Sequence, residues 1–165
     1  MDVNAIVYTS ATGFTRRYAQ LLAQTTGLPA YAQADPAGPP TGTKVLYLGW
    51  LRAGAVRGLK GARGRWTPAA VCAVGMAPPE GVDAEGLARR NGLEGAPLFY
   101  LRGGYAPERV KGLSRAMMAV MTRSVRRSAA KGDPQAEAML PVLLHGADWV
   151  DRENLRPVLD WLGTE

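Results

Sequence analysis

Four short runs, Ala5–Tyr8, Lys44–Gly49, Ala70–Val74 and Pro97–Leu101, are apolar almost without interruption and rich in Val, Tyr and Leu. A strand with one wet face alternates apolar and polar residues. Unbroken runs of this length therefore predict strands buried on both faces, as in a parallel sheet covered by helices. Pro29–Gln33 is a weaker strand candidate. Between the runs the spacing turns helical. Residues 13–26 place Phe14, Tyr18, Leu21, Leu22 and Thr25 on one face, and Gly27 and Pro29 stop that helix. Leu155, Val158, Leu159 and Leu162 define a last helix, with Asp151 or Asn154 as its cap and Pro157 admissible only in its first turn. Residues 81–95 offer only Leu87, Ala88 and Leu93 as anchors and predict a short helix, whereas ADPAGPPTGT at 34–43 predicts a loop. The alternation of strands and helices predicts an α/β domain with a mostly parallel sheet.

A chain of 165 residues that is 47% apolar can build one full core, so we expect a single domain over 1–165, without repeats. No run approaches the ~18 consecutive apolar residues of a spanning helix. Nothing at the N-terminus resembles a secretory leader, and a cytoplasmic location is the expectation. One cysteine, Cys72, and one histidine, His145, exclude an internal disulfide and a Cys/His zinc cage, and we read no Cys–His dyad in them. Cys72 lies inside a strand candidate and reads as packing, and no catalytic side chain is assigned. The net charge of +6 points to a polyanionic neighbour: nucleic acid, anionic lipid or an acidic protein.

The stretch Thr9-Ser10-Ala11-Thr12-Gly13-Phe14-Thr15 joins the first strand to the first helix. Unpaired N–H groups and the positive dipole end of a helix suit an anion there, small hydroxyl residues add donors, and Gly13 lets the backbone turn. The alternative is that Ser10 or Thr12 merely caps the helix. The stretch is neither a Walker loop nor the dinucleotide fingerprint, because the lysine and repeated glycines are absent.

A first strand followed by this T/S-x-T-G-x-T pattern resembles the flavodoxins. Leu46–Trp50 with Arg52-Ala53-Gly54 is similar to that family's third strand and first flavin-flanking loop. Val71–Gly75 with Met76-Ala77-Pro78-Pro79 is similar to the fourth strand and second flanking loop. The resemblance implies a three-layer fold with five parallel strands in the order 2-1-3-4-5 and FMN at the strand C-termini. Residues 9–15 would surround the phosphate. Trp50 and Leu51, with Arg52 and Ala53, would flank one side of the ring, and Gly75, Met76, Ala77 and Pro78 the other. The chain departs from the small electron-carrier flavodoxins in being basic and in lacking an aromatic in GMAPPEG.

After the fifth strand comes an insert, 105–148. From Glu108 to Arg127 it places Val110, Leu113, Met117, Val120, Met121 and Val125 on one helical stripe. Seven basic residues stand against one acid between Tyr105 and Lys131. One reading is a surface helix packed on the domain; the other is a face for a protein partner or an anionic membrane surface. The position and character of this insert resemble the flavodoxin-type protoporphyrinogen dehydrogenases, which would place the protein peripherally at the inner face of a membrane, with a quinone or membrane-associated partner. Three functions follow for testing: an FMN-binding redox protein with an unidentified partner, such a dehydrogenase, or a cofactor-less binding module on the same fold. The basic, glycine-rich segment Gly54–Arg65 could also meet single-stranded nucleic acid, but it falls where the sheet needs a crossover, and we read it as one.

Overall fold

The computed structural model describes residues 2–164; Met1 and Glu165, at the ends of the expected domain, lie outside the described residues. In chain order the elements are β1 (Ala5–Thr9), α1 (Phe14–Thr26), β2 (Ala30–Ala32), β3 (Lys44–Arg52), β4 (Ala55–Val56), α2 (Leu59–Arg63), β5 (Thr67–Gly75), α3 (Ala84–Arg90), β6 (Leu98–Arg102), β7 (Gly104–Tyr105), α4 (Gly112–Ala130), α5 (Pro134–His145), β8 (Ala147–Asp148) and α6 (Arg156–Leu162). They form two compact units. One holds the chain up to Gly103 and from Val150 onwards, the other Gly104–Trp149.

The first unit is an α/β sheet with helices on both faces. Its path is β2-β1-β3-β5-β6, every pairing along it parallel. Side chains of a strand alternate between faces, and here both faces are apolar. Ile6, Leu46, Leu48, Cys72 and Val74 pack with Tyr18, Ala19 and Leu22 of α1 and Val158 of α6. Val7, Val45, Tyr47, Val71 and Ala73 pack with Leu59 and Ala62 of α2 and Leu87 of α3. This double burial is why the strands read as continuous apolar runs. Thr9 pairs with Gly49, Trp50 with Val74 and Gly75 with Arg102, so the strand C-termini end together.

Two expectations are corrected. The sheet has six strands, not five, because β4 pairs antiparallel to β3 beside the parallel path. The residues expected as a loop after the third strand belong to this hairpin. β3 runs on to Arg52, and Ala53 (φ 50) and Gly54 (φ 78) turn it back so that Leu51 faces Val56. Two successive positive-φ residues make a type I′ turn, whose twist matches that of paired strands. The crossover read at Gly54–Arg65 thus contains β4 and the short helix α2.

The second unit consists of α4, α5 and the antiparallel ribbon β7–β8, in which Gly104 pairs with Asp148 and Tyr105 with Ala147. α5 was not expected: Gly132-Asp133-Pro134 reads as a break. Asp133 is instead its N-cap, accepting from the N–H groups of Gln135 (3.0 Å) and Ala136 (3.4 Å), and Pro134 occupies the first turn, where a missing N–H costs nothing. α4 packs along α5 and has no buried residue. Its half-buried positions are Ser114, Met118, Thr122, Val125, Ser128 and Ala129. Leu113, Met117, Val120 and Met121 are exposed, so the packed-stripe reading of this helix fails for those four residues.

Candidate functional site

β1 ends at Thr9 and α1 begins at Phe14, with Gly13 between them at φ 103 and ψ −14. A β-carbon is strained at that φ, so glycine is what lets the chain turn directly into the helix. The first N–H groups of a helix have no intrahelical acceptor. Arg17 N–H reaches Gly13 O, and Ser10 Oγ accepts from Gly13 N–H (3.2 Å) and Arg16 N–H (3.3 Å). Ser10 therefore does part of the capping work, and its hydroxyl proton remains a donor. Among the described residues no protein acceptor meets the N–H groups of Phe14 and Thr15. Ala11 is exposed, and Ser10, Thr12, Gly13 and Phe14 are half-buried. Thr15 is 1% exposed and is a buried polar residue in an otherwise apolar core.

Thr9 belongs to a different constellation. Its hydroxyl donates to Gln33 Oε1 at 2.6 Å and lies 2.9 Å from the Tyr47 hydroxyl, which also stands 2.8 Å from Gln33 Oε1 and 2.7 Å from Arg57 O. Gln33 Nε2 donates to Gly58 O. Burial pushes the Tyr47 phenol up to about 12, with the Thr9 hydrogen bond opposing the rise. Thr9 thus ties β1 to β3 and to the residue just after β2, and through Tyr47 and Gln33 to the chain after β4, so its hydroxyl is spent inside the fold.

Trp50 and Leu51 are successive residues of β3 and lie on opposite faces. Trp50 shares the face of Leu46 and Leu48, and the Arg57 guanidinium stands 5.8 Å from its ring centre. Leu51 packs with the opposite cluster. Arg52 is half-buried and Ala53 exposed at the turn. The hairpin is held by Asn91 at the end of α3: its Oδ1 accepts from Val56 N–H at 2.9 Å, and its Nδ2 donates to Gly54 O at 2.9 Å.

Met76 and Ala77 follow β5 and are held by β6. Arg102 Nε donates to Met76 O at 3.3 Å, Tyr100 OH donates to Ala77 O at 2.8 Å, and Gly103 N–H donates to Gly75 O at 2.8 Å. Burial pushes the Tyr100 phenol up to about 12, opposed chiefly by the charge of Arg102. Tyr18 OH donates to Arg102 O, and Asn154 Nδ2 donates to Tyr18 OH, fastening the end of β6 to α1 and to the turn before α6.

The three segments meet. A β-carbon built on Gly75 would stand 3.2 Å from Leu51 Cδ1, and one built on Gly103 would stand 3.4 Å from Phe14 Cβ. Ser10–Thr15, Trp50–Leu51 and Gly75–Ala77 are thus neighbours at one end of the sheet, while Thr9 faces inward and Pro78 is exposed. Sequence reasoning missed the residues that position them, namely Gln33, Tyr47, Asn91, Tyr100 and Arg102. Only the i, i+2 placement of Tyr100 and Arg102, at the end of the Pro97–Leu101 run and just past it, offered a signal. A concavity of about 630 Å³ lies at the other end, where Asp2, Tyr31, Pro40 and Lys44 flank the strand starts. Ligands of open parallel sheets sit beyond the carboxyl ends of the strands, and the Ser10–Thr15 end is the candidate. No helix among the described residues is long and apolar enough to cross a membrane. Compared with protein-family models, curated proteins and solved structures, the chain matches none.

Proposed function

We propose that the chain is a flavodoxin-like, FMN-binding redox protein, its parallel path β2-β1-β3-β5-β6 corresponding to that family's five strands. The observation that carries the reading is the pair of N–H groups on Phe14 and Thr15 that meet no protein acceptor, beside the left-handed Gly13. The donor set fits a phosphate. Two backbone donors, the Ser10 hydroxyl proton and the Thr12 and Thr15 hydroxyls belong to one short turn at a helix start, where the dipole favours negative charge. Trp50 or Leu51 on one side and Met76 and Ala77 on the other are mainly apolar surfaces for a flat ring, and the 76–77 carbonyls are held still by Arg102 and Tyr100.

FMN, when bound, supplies the electron transfer itself, so no side-chain nucleophile is required. The chain's own task is to grip the phosphate, to present Trp50 or Leu51 to the ring, and to exclude water there. A flavodoxin-type protoporphyrinogen dehydrogenase is a narrower form of the same proposal. A second reading has one observation in its favour: Ser10 Oγ already accepts two helix N–H groups, as a plain cap does, which suits a cofactor-less module on this fold.

Titration with FMN and with riboflavin, followed by tryptophan fluorescence, separates the two. A phosphate-holding turn gives FMN a preference of about tenfold or more over riboflavin. Equal affinities would remove the phosphate role, and no response to either would leave the cofactor-less module.

A further inference from the structure

Leu113 is 68% exposed, Val120 70%, Met117 45% and Met121 41%. On α4 they stand at i, i+4, i+7 and i+8, which is one continuous face. The helix rests on α5 with Ser114, Met118, Thr122, Val125 and Ser128 half-buried, while Leu113, Met117, Val120 and Met121, most of its large apolar side chains, are exposed. A helix that merely covered its neighbour would do the reverse. Arg123 and Arg127 follow Val120 by three and seven residues and therefore border the same face. Among the described residues Arg115, Arg123, Arg126 and Arg127 have no acidic partner, and of the nearest acids in sequence Glu108 is paired with Arg109 at 3.8 Å and Asp133 caps α5.

We infer that α4 is an interfacial helix that lays Leu113, Met117, Val120 and Met121 onto an anionic bilayer, with Arg123 and Arg127 reaching its headgroup phosphates. Charge decides the occupant. An apolar strip bordered by unpaired arginines and no acid is complementary to an anionic surface. A second copy of the chain is disfavoured, since a two-fold contact through this face would set like charges against each other. Four side chains on one helix are also far short of the roughly 20–30 residues a side of a stable protein interface. An inserted helix needs no such area, because lipid closes around it. The inference is independent of the flavin site.

The test is flotation of the full chain with vesicles of phosphatidylcholine alone and of phosphatidylcholine with phosphatidylglycerol. The protein should float with the anionic vesicles only. The double variant Leu113→Asp with Val120→Asp should reduce that binding by about tenfold or more, as should Arg123→Glu with Arg127→Glu. All four positions are exposed, and an unchanged circular dichroism spectrum verifies folding in each variant. Absence of flotation with either vesicle overturns the inference. So does anionic-vesicle binding untouched by the two aspartates, which would mean charge alone. So does a concentration-dependent dimer that the aspartates abolish while vesicles are ignored, which would make the occupant a second copy.

Discussion

At the scale of single residues the account turns on Gly13 and Tyr47. Gly13 holds φ 103, a conformation in which a β-branched side chain costs about 1–3 kcal/mol. Gly13→Val should therefore lower stability by an amount of that order, measured by urea unfolding, and abolish FMN retention while the sheet still forms. Unchanged FMN affinity in a folded Gly13→Val protein would detach the turn from the cofactor. Tyr47 is internal, and its hydroxyl serves Thr9, Gln33 and the Arg57 carbonyl. Replacement by Phe leaves these partners short and should cost about 1–3 kcal/mol. Its phenol titrates higher in the fold, at about 12 against an ordinary 10. The folded state holds the proton where the unfolded chain has released it, so this contribution is complete below pH 10 and is lost as pH rises towards 12. Denaturation midpoints between pH 9 and 12 (about the range of free phenol titration) should fall less steeply for Tyr47→Phe than for the parent.

At the scale of elements, the long strands were legible because burial on both faces leaves a one-dimensional trace: Ile6, Leu46, Leu48 and Cys72 face one helix layer while Val7, Val45, Tyr47 and Val71 face the other. α1 was legible from its spacing and from Gly27, which ends it at φ 74 with its N–H on Ala23 O. The β3–β4 hairpin was not. Its turn is Ala53-Gly54, and alanine at positive φ is not a residue type that announces a type I′ turn. What permits it is tertiary: Asn91 of α3 satisfies Val56 N–H and Gly54 O from outside. Asn91→Leu would strip both bonds at once and should destabilise by about 2 kcal/mol. If Trp50 and Leu51 flank the flavin, it should also weaken FMN binding, read in the same titration. α5 was hidden for another reason. Asp133-Pro134 ends one helix and begins the next, and periodicity cannot tell a break from a new start when both use the same residues. For α4 the spacing revealed the apolar stripe but not its direction, because a 3.6-residue period marks a face without saying what meets it.

At the scale of the whole molecule, the chain builds two units, and the second is inserted through a ribbon that pairs Gly104 with Asp148. Paired residues in an antiparallel ribbon have α-carbons about 4.5–5.5 Å apart, so the insert enters and leaves at nearly one point. Replacing 105–148 by a short Gly/Ser linker should therefore leave a folded sheet unit. That shortened chain should keep the parent's FMN affinity and lose anionic-vesicle binding. Loss of both would mean that the flavin site needs the insert. The net charge of +6 raised the expectation of a polyanionic neighbour but assigned it no place on the fold. What the amino-acid pattern left open was which apolar face is covered and which is bare, and that depends on the packing of α4 against α5.

The most direct test of the central claim is the visible absorption spectrum of the purified chain after incubation with excess FMN and desalting. The account predicts flavin bands that stay with the protein at about one FMN per chain, with tryptophan fluorescence quenched. A colourless protein after desalting, folded by circular dichroism, would contradict it and leave Ser10–Thr15 as a helix cap.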